Sequence, residues 1–170
     1  MRIRRARPED ARFVARGESL VAATPGLLNA LPGEIPDQAF ADKIVALEDC
    51  ANGLYLVAEE GDEIVGHLLL DPIPLAANSH ICTLTLIVYP KWQGRGFGRQ
   101  LLVHALQWAR TTLKVEKIEL MVRATNERAV HLYQSLGFLE EGRIHRRVKA
   151  ISGVYHDDIA MGLFMQRPGA

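Results

Sequence analysis

A chain of 170 residues, 48% of them hydrophobic and 24% charged, reads as one ordinary globular domain long enough to bury a real core. Lysine plus arginine equals aspartate plus glutamate at 20 each, which excludes a global basic field for nucleic acid or an anionic membrane, so any anion site must be local. Cys50 and Cys82 lack C-x-x-C or zinc spacing, and no run of about 18 apolar residues occurs. The expectation is a soluble cytoplasmic protein with reduced thiols and no metal.

Ile3 to Ala6 reads as a short strand, and Pro8 suits the first turn of a helix running to about Ala23, broken at Pro25-Gly26. Thr24 to Pro36 is loop-rich. Asp37 to about Ala51 returns to helical character, with Phe40, Ile44 and Leu47 on one face. Gly53 to Glu60 and Glu63 to Asp71 are strands joined by Gly61-Asp62, a hairpin signal. His80 to Tyr89 is apolar or threonine on both faces, as a central strand covered on both sides requires. Leu101, Leu102, Ala105, Ala109 and Leu113 recur at helical spacing, and Ile118, Leu120 and Val122 then alternate with charged residues as a strand. Asn126 can cap a helix whose Ala129, Leu132, Tyr133 and Leu136 share a face, with Gly137 ending it. Two strands, about Leu139 to Lys149 and Val154 to Met165, meet at Ser152-Gly153. The order βααββ-βα-βα-ββ, without repeat or linker, makes residues 1–170 a single α/β layer domain.

Between the apolar run ending Val88-Tyr89-Pro90 and the helix beginning near Gly98 lies Gln93-Gly94-Arg95-Gly96-Phe97-Gly98-Arg99. Such a strand, glycine turn and helix start present successive backbone N–H groups at the positive end of a helix dipole, which suits a phosphate. The spacing G-x-G-x-G departs from the dinucleotide fingerprint G-x-G-x-x-G, and no G-x-x-x-x-G-K-[ST] occurs, which disfavours both of those sites. A pyrophosphate cradle of another kind and a plain tight turn are the two readings of the glycines alone.

With Gln93 included, the stretch reads Q-x-x-G-x-G behind Val88-x-Pro90, and Asn126 to Phe138 reads N-x-x-A-x-x-x-Y-x-x-x-G-F. These two motifs, in this order, resemble those of the Gcn5-related N-acetyltransferases, whose acetyl-coenzyme A motif [QR]-x-x-G-x-[GA] is filled by Gln93, Gly96 and Gly98. The resemblance covers nearly the whole chain and is diffuse before about Leu54. It implies a mixed, largely antiparallel central sheet flanked by helices, whose fourth and fifth strands splay so that pantetheine enters between them. It also implies main-chain pantetheine contacts at Leu86, Ile87 and Val88, and pyrophosphate held by the backbone of Gly94, Arg95, Gly96, Phe97, Gly98 and Arg99. Further coenzyme contacts are implied at Gln93, Asn126, Ala129 and Tyr133.

The implied chemistry is acetyl transfer from acetyl-CoA, a cosubstrate, to a primary amine. A tyrosine hydroxyl of pKa near ~10 stays protonated at neutral pH and can donate to a departing thiolate. Tyr133 matches the family's general acid, although its shared face with Leu132 and Leu136 would also suit a core tyrosine. His80 is a candidate base because it aligns with the start of the fourth strand, where some members place a glutamate. Glu119, His156, Asp157 or a water relay are alternatives. The ending Gly153-Val154-Tyr155-His156-Asp157-Asp158-Ile159-Ala160-Met161 resembles small-molecule branches, whose acceptors are amino acids, polyamines or amine-bearing antibiotics, and Asp157 with Asp158 could attract a cationic amine. The competing readings are a protein N-terminal or lysine acetyltransferase and a noncatalytic coenzyme A sensor. Ile159, Met161, Leu163 and Met165 could serve a homodimer or form the core face of the last strand.

Overall fold

The computed structural model describes residues 1–24, 27–28, 30–150 and 152–165. Its elements are β1 (Arg2–Arg5), α1 (Ala11–Ala22), α2 (Asp37–Glu48), β2 (Leu54–Glu60), β3 (Glu63–Pro72), β4 (Ile81–Val88), α3 (Phe97–Thr111), β5 (Lys117–Arg123), α4 (Glu127–Ser135), β6 (Leu139–Lys149) and β7 (Tyr155–Phe164). The strands form one seven-stranded sheet in the order β1-β2-β3-β4-β5-β7-β6. Element types and order match the sequence expectation, and the differences lie at element ends. Pro8 opens a 3-10 turn, Pro8–Asp10, in place of the first turn of α1, because the Arg7 N–H donates to the Asp10 carboxylate at 2.8 Å. Helix α2 stops at Glu48, and a turn closed by the Gly53 N–H on the Cys50 carbonyl leads into β2. Helix α3 stops at Thr111 and leaves Leu113, counted above on its apolar face, 75% exposed. There the hydroxyls of Thr111 and Thr112 both donate to the Trp108 carbonyl, drawing the last turn closed. The expected break at Pro25-Gly26 lies outside the described residues.

Strand β2 shows why its run is apolar throughout. Leu54, Leu56 and Ala58 pack on one side with Leu101, Leu102 and Ala105 of α3, while Tyr55 and Val57 pack on the other with Val14 of α1 and Phe40, Ile44 and Leu47 of α2. Covering both faces removes the polar alternation of a one-sided sheet. Each fully buried leucine contributes about 1.5–3 kcal/mol, and Leu101 and Leu102 have no exposed surface at all. In β7, Ile159 and Met161 belong to this core, with Leu163 and the following Met165 packed against it, so these four residues pack within the chain while Phe164 stays exposed.

The feature that positions the site is a parting of two strands. Parallel pairing between β4 and β5 is confined to Ile81↔Lys117, Cys82↔Ile118 and Thr83↔Glu119. Beyond it, β4 continues along β3 to Val88↔Gly66 and β5 continues along β7 to Arg123↔Asp158. From Leu84 to Val88, one edge of β4 therefore faces a gap. At the opposite side of the sheet, the edge strand β6 is interrupted between Ile144 and Val148, where Arg146 takes a left-handed φ of 53°.

Candidate active site

A cleft of about 420 Å³ occupies that gap. Its floor is Leu86, Ile87 and Val88 of β4, one end is formed by Gln93, Gly94, Gly96, Phe97, Gly98 and Arg99, and the wall beyond β5 is formed by Asn126, Ala129 and Tyr133. The backbone dictates the glycine positions. Gly94 and Gly96 adopt φ of 82° and 84°, a region costly to residues with a Cβ, and Gly96 is the N-cap of α3 without a side-chain cap bond. The first N–H groups of α3 are thus left for a ligand, and no acidic residue stands in its first turn to repel an anion. At Gly98 a Cβ would meet Val88 Cγ2 at 3.4 Å, an ordinary contact, so packing does not demand glycine there as the left-handed backbone does at Gly94 and Gly96.

Side chains complete the cradle. Gln93 Nε2 donates to the Val88 carbonyl at 2.9 Å and fastens the loop to β4, while Arg99 Nη1 donates to Ser135 Oγ at 2.9 Å and ties α3 to α4. Arg95 points elsewhere: its guanidinium stacks on Trp92 at 4.5 Å and Phe97 at 5.1 Å, so only its backbone is placed for a phosphate. The guanidinium of Arg128, two residues after Asn126, lies 3.9 Å from where a Cβ at Gly94 would sit, so it and Arg99 bring side-chain cations to this end of the cleft. This chain of residues suits a pyrophosphate followed by an extended, amide-bearing arm: donors and cations at one end, an open strand edge along the middle.

The second motif acquires a physical reason at each specified position. Asn126 caps α4, its Oδ1 accepting the Ala129 N–H at 3.2 Å. Gly137, at φ 94°, ends the helix. Phe138 then packs edge-on against Tyr133 with ring centroids 5.6 Å apart. Tyr133 is buried yet lines the cleft, and burial pushes its hydroxyl pKa up to about 12.

His80 is not brought to the cleft. It precedes β4 at the end where the two strands still pair, its carbonyl accepting the N–H groups of Glu116 and Lys117 at 2.8 and 3.2 Å. Six residues of strand at about 3.3 Å each, roughly 20 Å, separate it from Leu86. Glu119 is held by Lys117 Nζ at 2.7 Å, and neither it, His156 nor Asp157 lines the cleft. The acidic pair of β7 is spent on internal partners. Asp158 forms a buried ion pair with Arg123, and Asp157 accepts the Arg146 N–H at 2.9 Å while facing Arg143 and His145. The backbone donor, then His145 and Arg143, hold the Asp157 carboxyl below its usual range.

The sequence reading missed Val21, Leu27, Leu28, Trp92, Arg128 and Leu132, all in the cleft wall. Arg128, in the first turn of α4, carried a usable signal as a cation beside the capping asparagine. Val21, Leu27 and Leu28 come from a stretch that no motif covers.

A mixed sheet parted between parallel strands, a glycine cradle opening the next helix and a tyrosine on the helix after it together define an acetyltransferase-type fold. The Acetyltransferase (GNAT) family matches residues 24–138, and the chain belongs to that family. A spermidine N(1)-acetyltransferase of Vibrio cholerae is 33% identical over 111 residues, covering 65% of this chain and 62% of that protein. The L-amino acid N-acetyltransferase AaaT of Escherichia coli is 32% identical over 87 residues, covering 51% and 54% respectively. The chain thus spans between half and two thirds of the length of these curated relatives. The structure of yncA from Salmonella typhimurium, solved with its cofactor acetyl-CoA, has the same fold, with a TM-score of 0.88 at 20% identity over 100% of this chain and 96% of that one.

Proposed function

We propose that the protein transfers the acetyl group of acetyl-CoA to the primary amine of a small molecule, an amino acid, polyamine or amine-bearing antibiotic, by direct attack with Tyr133 as general acid. One observation carries this reading: Tyr133, whose hydroxyl has no hydrogen-bond partner among the described residues, lines the cleft in which the glycine cradle and the open edge of β4 converge. The coenzyme-bound yncA structure supports acetyl-CoA as donor, and the spermidine and amino-acid enzymes among the relatives support a small amine as acceptor. A reducing, cytoplasmic setting fits the free thiols of Cys50 and Cys82.

In this reading the amides from Gly94 to Arg99 and the Arg128 guanidinium hold the pyrophosphate, and the unpaired edge at Leu86, Ile87 and Val88 holds the pantetheine amides as a neighbouring strand would. Tyr133 keeps its proton throughout the neutral range and gives it up as the thiolate departs. Desolvation, which raises the tyrosine pKa, would likewise favour the protonated thiol over a departing thiolate in the same cleft.

The test is thiol release from acetyl-CoA against L-amino acids, spermidine, an aminoglycoside and N-terminal peptides, with calorimetric titration of the coenzyme alongside. Turnover on a small-amine class is expected. Turnover confined to the peptides rejects the small-molecule acceptor, binding with no turnover rejects the transfer, and no binding rejects the cradle.

A further inference from the structure

The charged side chains of the cleft stand at one end of it and are all of one sign. Arg99 and Arg128 line it beside the glycine cradle, and no aspartate or glutamate lines it among the described residues. The residues outside that description include no acidic side chain. Carboxylates on the neighbouring elements are turned to partners of their own. Glu18 of α1 lies 3.1 Å from His67 Nε2 and lines a separate recess of about 10 Å³, with Leu28 shared between recess and cleft. Glu119 is held by Lys117, Asp157 by the Arg146 N–H and Asp158 by Arg123. Glu127 of α4 is exposed and stands outside the lining.

The wall on the face of the sheet that carries α1 is apolar. Along β4, Leu86 and Val88 turn their side chains to the core that holds α3, whereas Ile87 between them joins Val21 and Tyr89 in a packed cluster. Leu27, Leu28 and Trp92 pack against that cluster, and they line the cleft together with Val21 and Ile87. Leu27 and Leu28 are only half-buried, so part of their surface is open to whatever occupies the cleft. Ala129, Leu132 and Tyr133 of α4 line it from the opposite face, where they belong to the other core. The cleft is therefore flanked by a hydroxyl from the side of α4 and by an uncharged, aliphatic and aromatic surface from the side of α1.

We propose that this apolar wall selects the acceptor: a compact molecule with a single amino group on an apolar frame, either an apolar L-amino acid or the corresponding decarboxylated amine, in preference to a polyamine or an aminoglycoside. The inference rests on the acetyl-transfer reading and narrows it. An arm added along the β4 edge lies in the plane of the sheet, and with Tyr133 set beside its sulfur from the α4 face, the amine and the frame that carries it lie towards the α1 face. The attacking nitrogen must be neutral, so a monoamine brings no positive charge into the bond-forming step. A polyamine or aminoglycoside keeps ammonium groups elsewhere on its frame. Against Val21, Leu27, Leu28 and Ile87 those groups lose water and meet no carboxylate. An apolar frame gains from burial on the same surface.

The test measures kcat/KM of thiol release for L-alanine, L-leucine, ethylamine, isoamylamine, spermidine and an aminoglycoside, in wild type, Leu27→Asp and Leu27→Ala. Calorimetry adds acetyl-CoA binding to each protein and binding of each amine to protein saturated with coenzyme A. In wild type the best apolar monoamine should exceed spermidine and the aminoglycoside by about 10²-fold or more and bind more tightly than either, and L-leucine against isoamylamine tells which source carries the frame. Leu27→Asp should lower kcat/KM for that monoamine by about tenfold or more, with acetyl-CoA affinity nearly unchanged. Leu27→Ala should cost L-leucine more than L-alanine, and isoamylamine more than ethylamine, a dependence on the frame that a general folding defect would not produce. Spermidine or the aminoglycoside within about tenfold of the best monoamine, or a Leu27→Ala loss independent of the frame, overturns the inference while leaving acetyl transfer intact. Wild type that binds acetyl-CoA and acetylates no amine in the panel removes the transfer reading and this inference together. Leu27→Ala keeps the test open if Leu27→Asp fails to fold.

Discussion

The half of the molecule that lines most of the cleft, from β4 through α3 and β5 to α4, and the half formed by α1, α2 and the β6–β7 hairpin are built differently. In the first, the backbone shapes the cleft: two left-handed glycines, an uncapped helix start and an unpaired strand edge. Where the second packs on the rest of the sheet, side chains far apart in sequence meet, as Glu18 of α1 meets His67 of β3 across 49 positions and Asp158 of β7 meets Arg123 of β5 across 35. Backbone devices need particular residues at fixed spacing and leave a motif, whereas long-range pairs can be assembled from many positions and leave none.

That contrast can be broken or sharpened by substitution. The largest expected effect is on turnover: Tyr133→Phe should lower kcat by about 10²- to 10⁴-fold with coenzyme affinity nearly unchanged in calorimetry. Because burial holds the Tyr133 pKa near 12, the hydroxyl stays protonated at pH 6 to 10, so the variant should lower the pH profile over that window without bending it. Next, Asp158→Ala should remove the carboxylate from the buried Arg123–Asp158 ion pair and cost about 3–5 kcal/mol in urea unfolding. Asp157→Ala, at the exposed end of the same acidic pair, should move the midpoint far less, and equal losses would show that both carboxylates are structural. Gly96→Asp brings a left-handed strain and a negative charge into the cradle, and calorimetry should find acetyl-CoA binding weakened about 100-fold with the fold retained. The smallest effect belongs to Gln93→Ala, which removes one exposed hydrogen bond to Val88 and should weaken coenzyme binding by about 2- to 10-fold.

The same division explains what the sequence disclosed. Gly61-Asp62 marked the β2–β3 hairpin, Asn126 and Gly137 marked the ends of α4, and the two-sided apolar run of β4 marked a central strand, because each signal acts within a few residues. The limits of α2 and α3 were misjudged where a turn at Cys50 and hydroxyls at Thr111 and Thr112 ended a periodicity that the sequence alone lets run on. Arg95 and Arg99 looked alike beside the glycines, yet one stacks on Trp92 and the other bridges to Ser135, a choice made by neighbours that folding supplies. Asp157 and Asp158 read as a lure for cations until their partners were in place. The contact of His67 with Glu18 was not legible because nothing in Gly66-His67-Leu68 announces a partner on a helix 49 positions earlier.

The interruption in β6 bears on how the protein behaves in crowded solution. An eleven-residue strand at the margin of a sheet is a template on which a strand of another molecule could grow. Here the ladder is cut between Ile144 and Val148, and the intervening His145, Arg146 and Arg147 are exposed and basic or titratable. Arg146 is further engaged over the Tyr155 ring at 4.1 Å. An incoming strand would find two short, separated stretches of free backbone and a cluster of positive charge between them, so this margin resists self-addition and fibril growth.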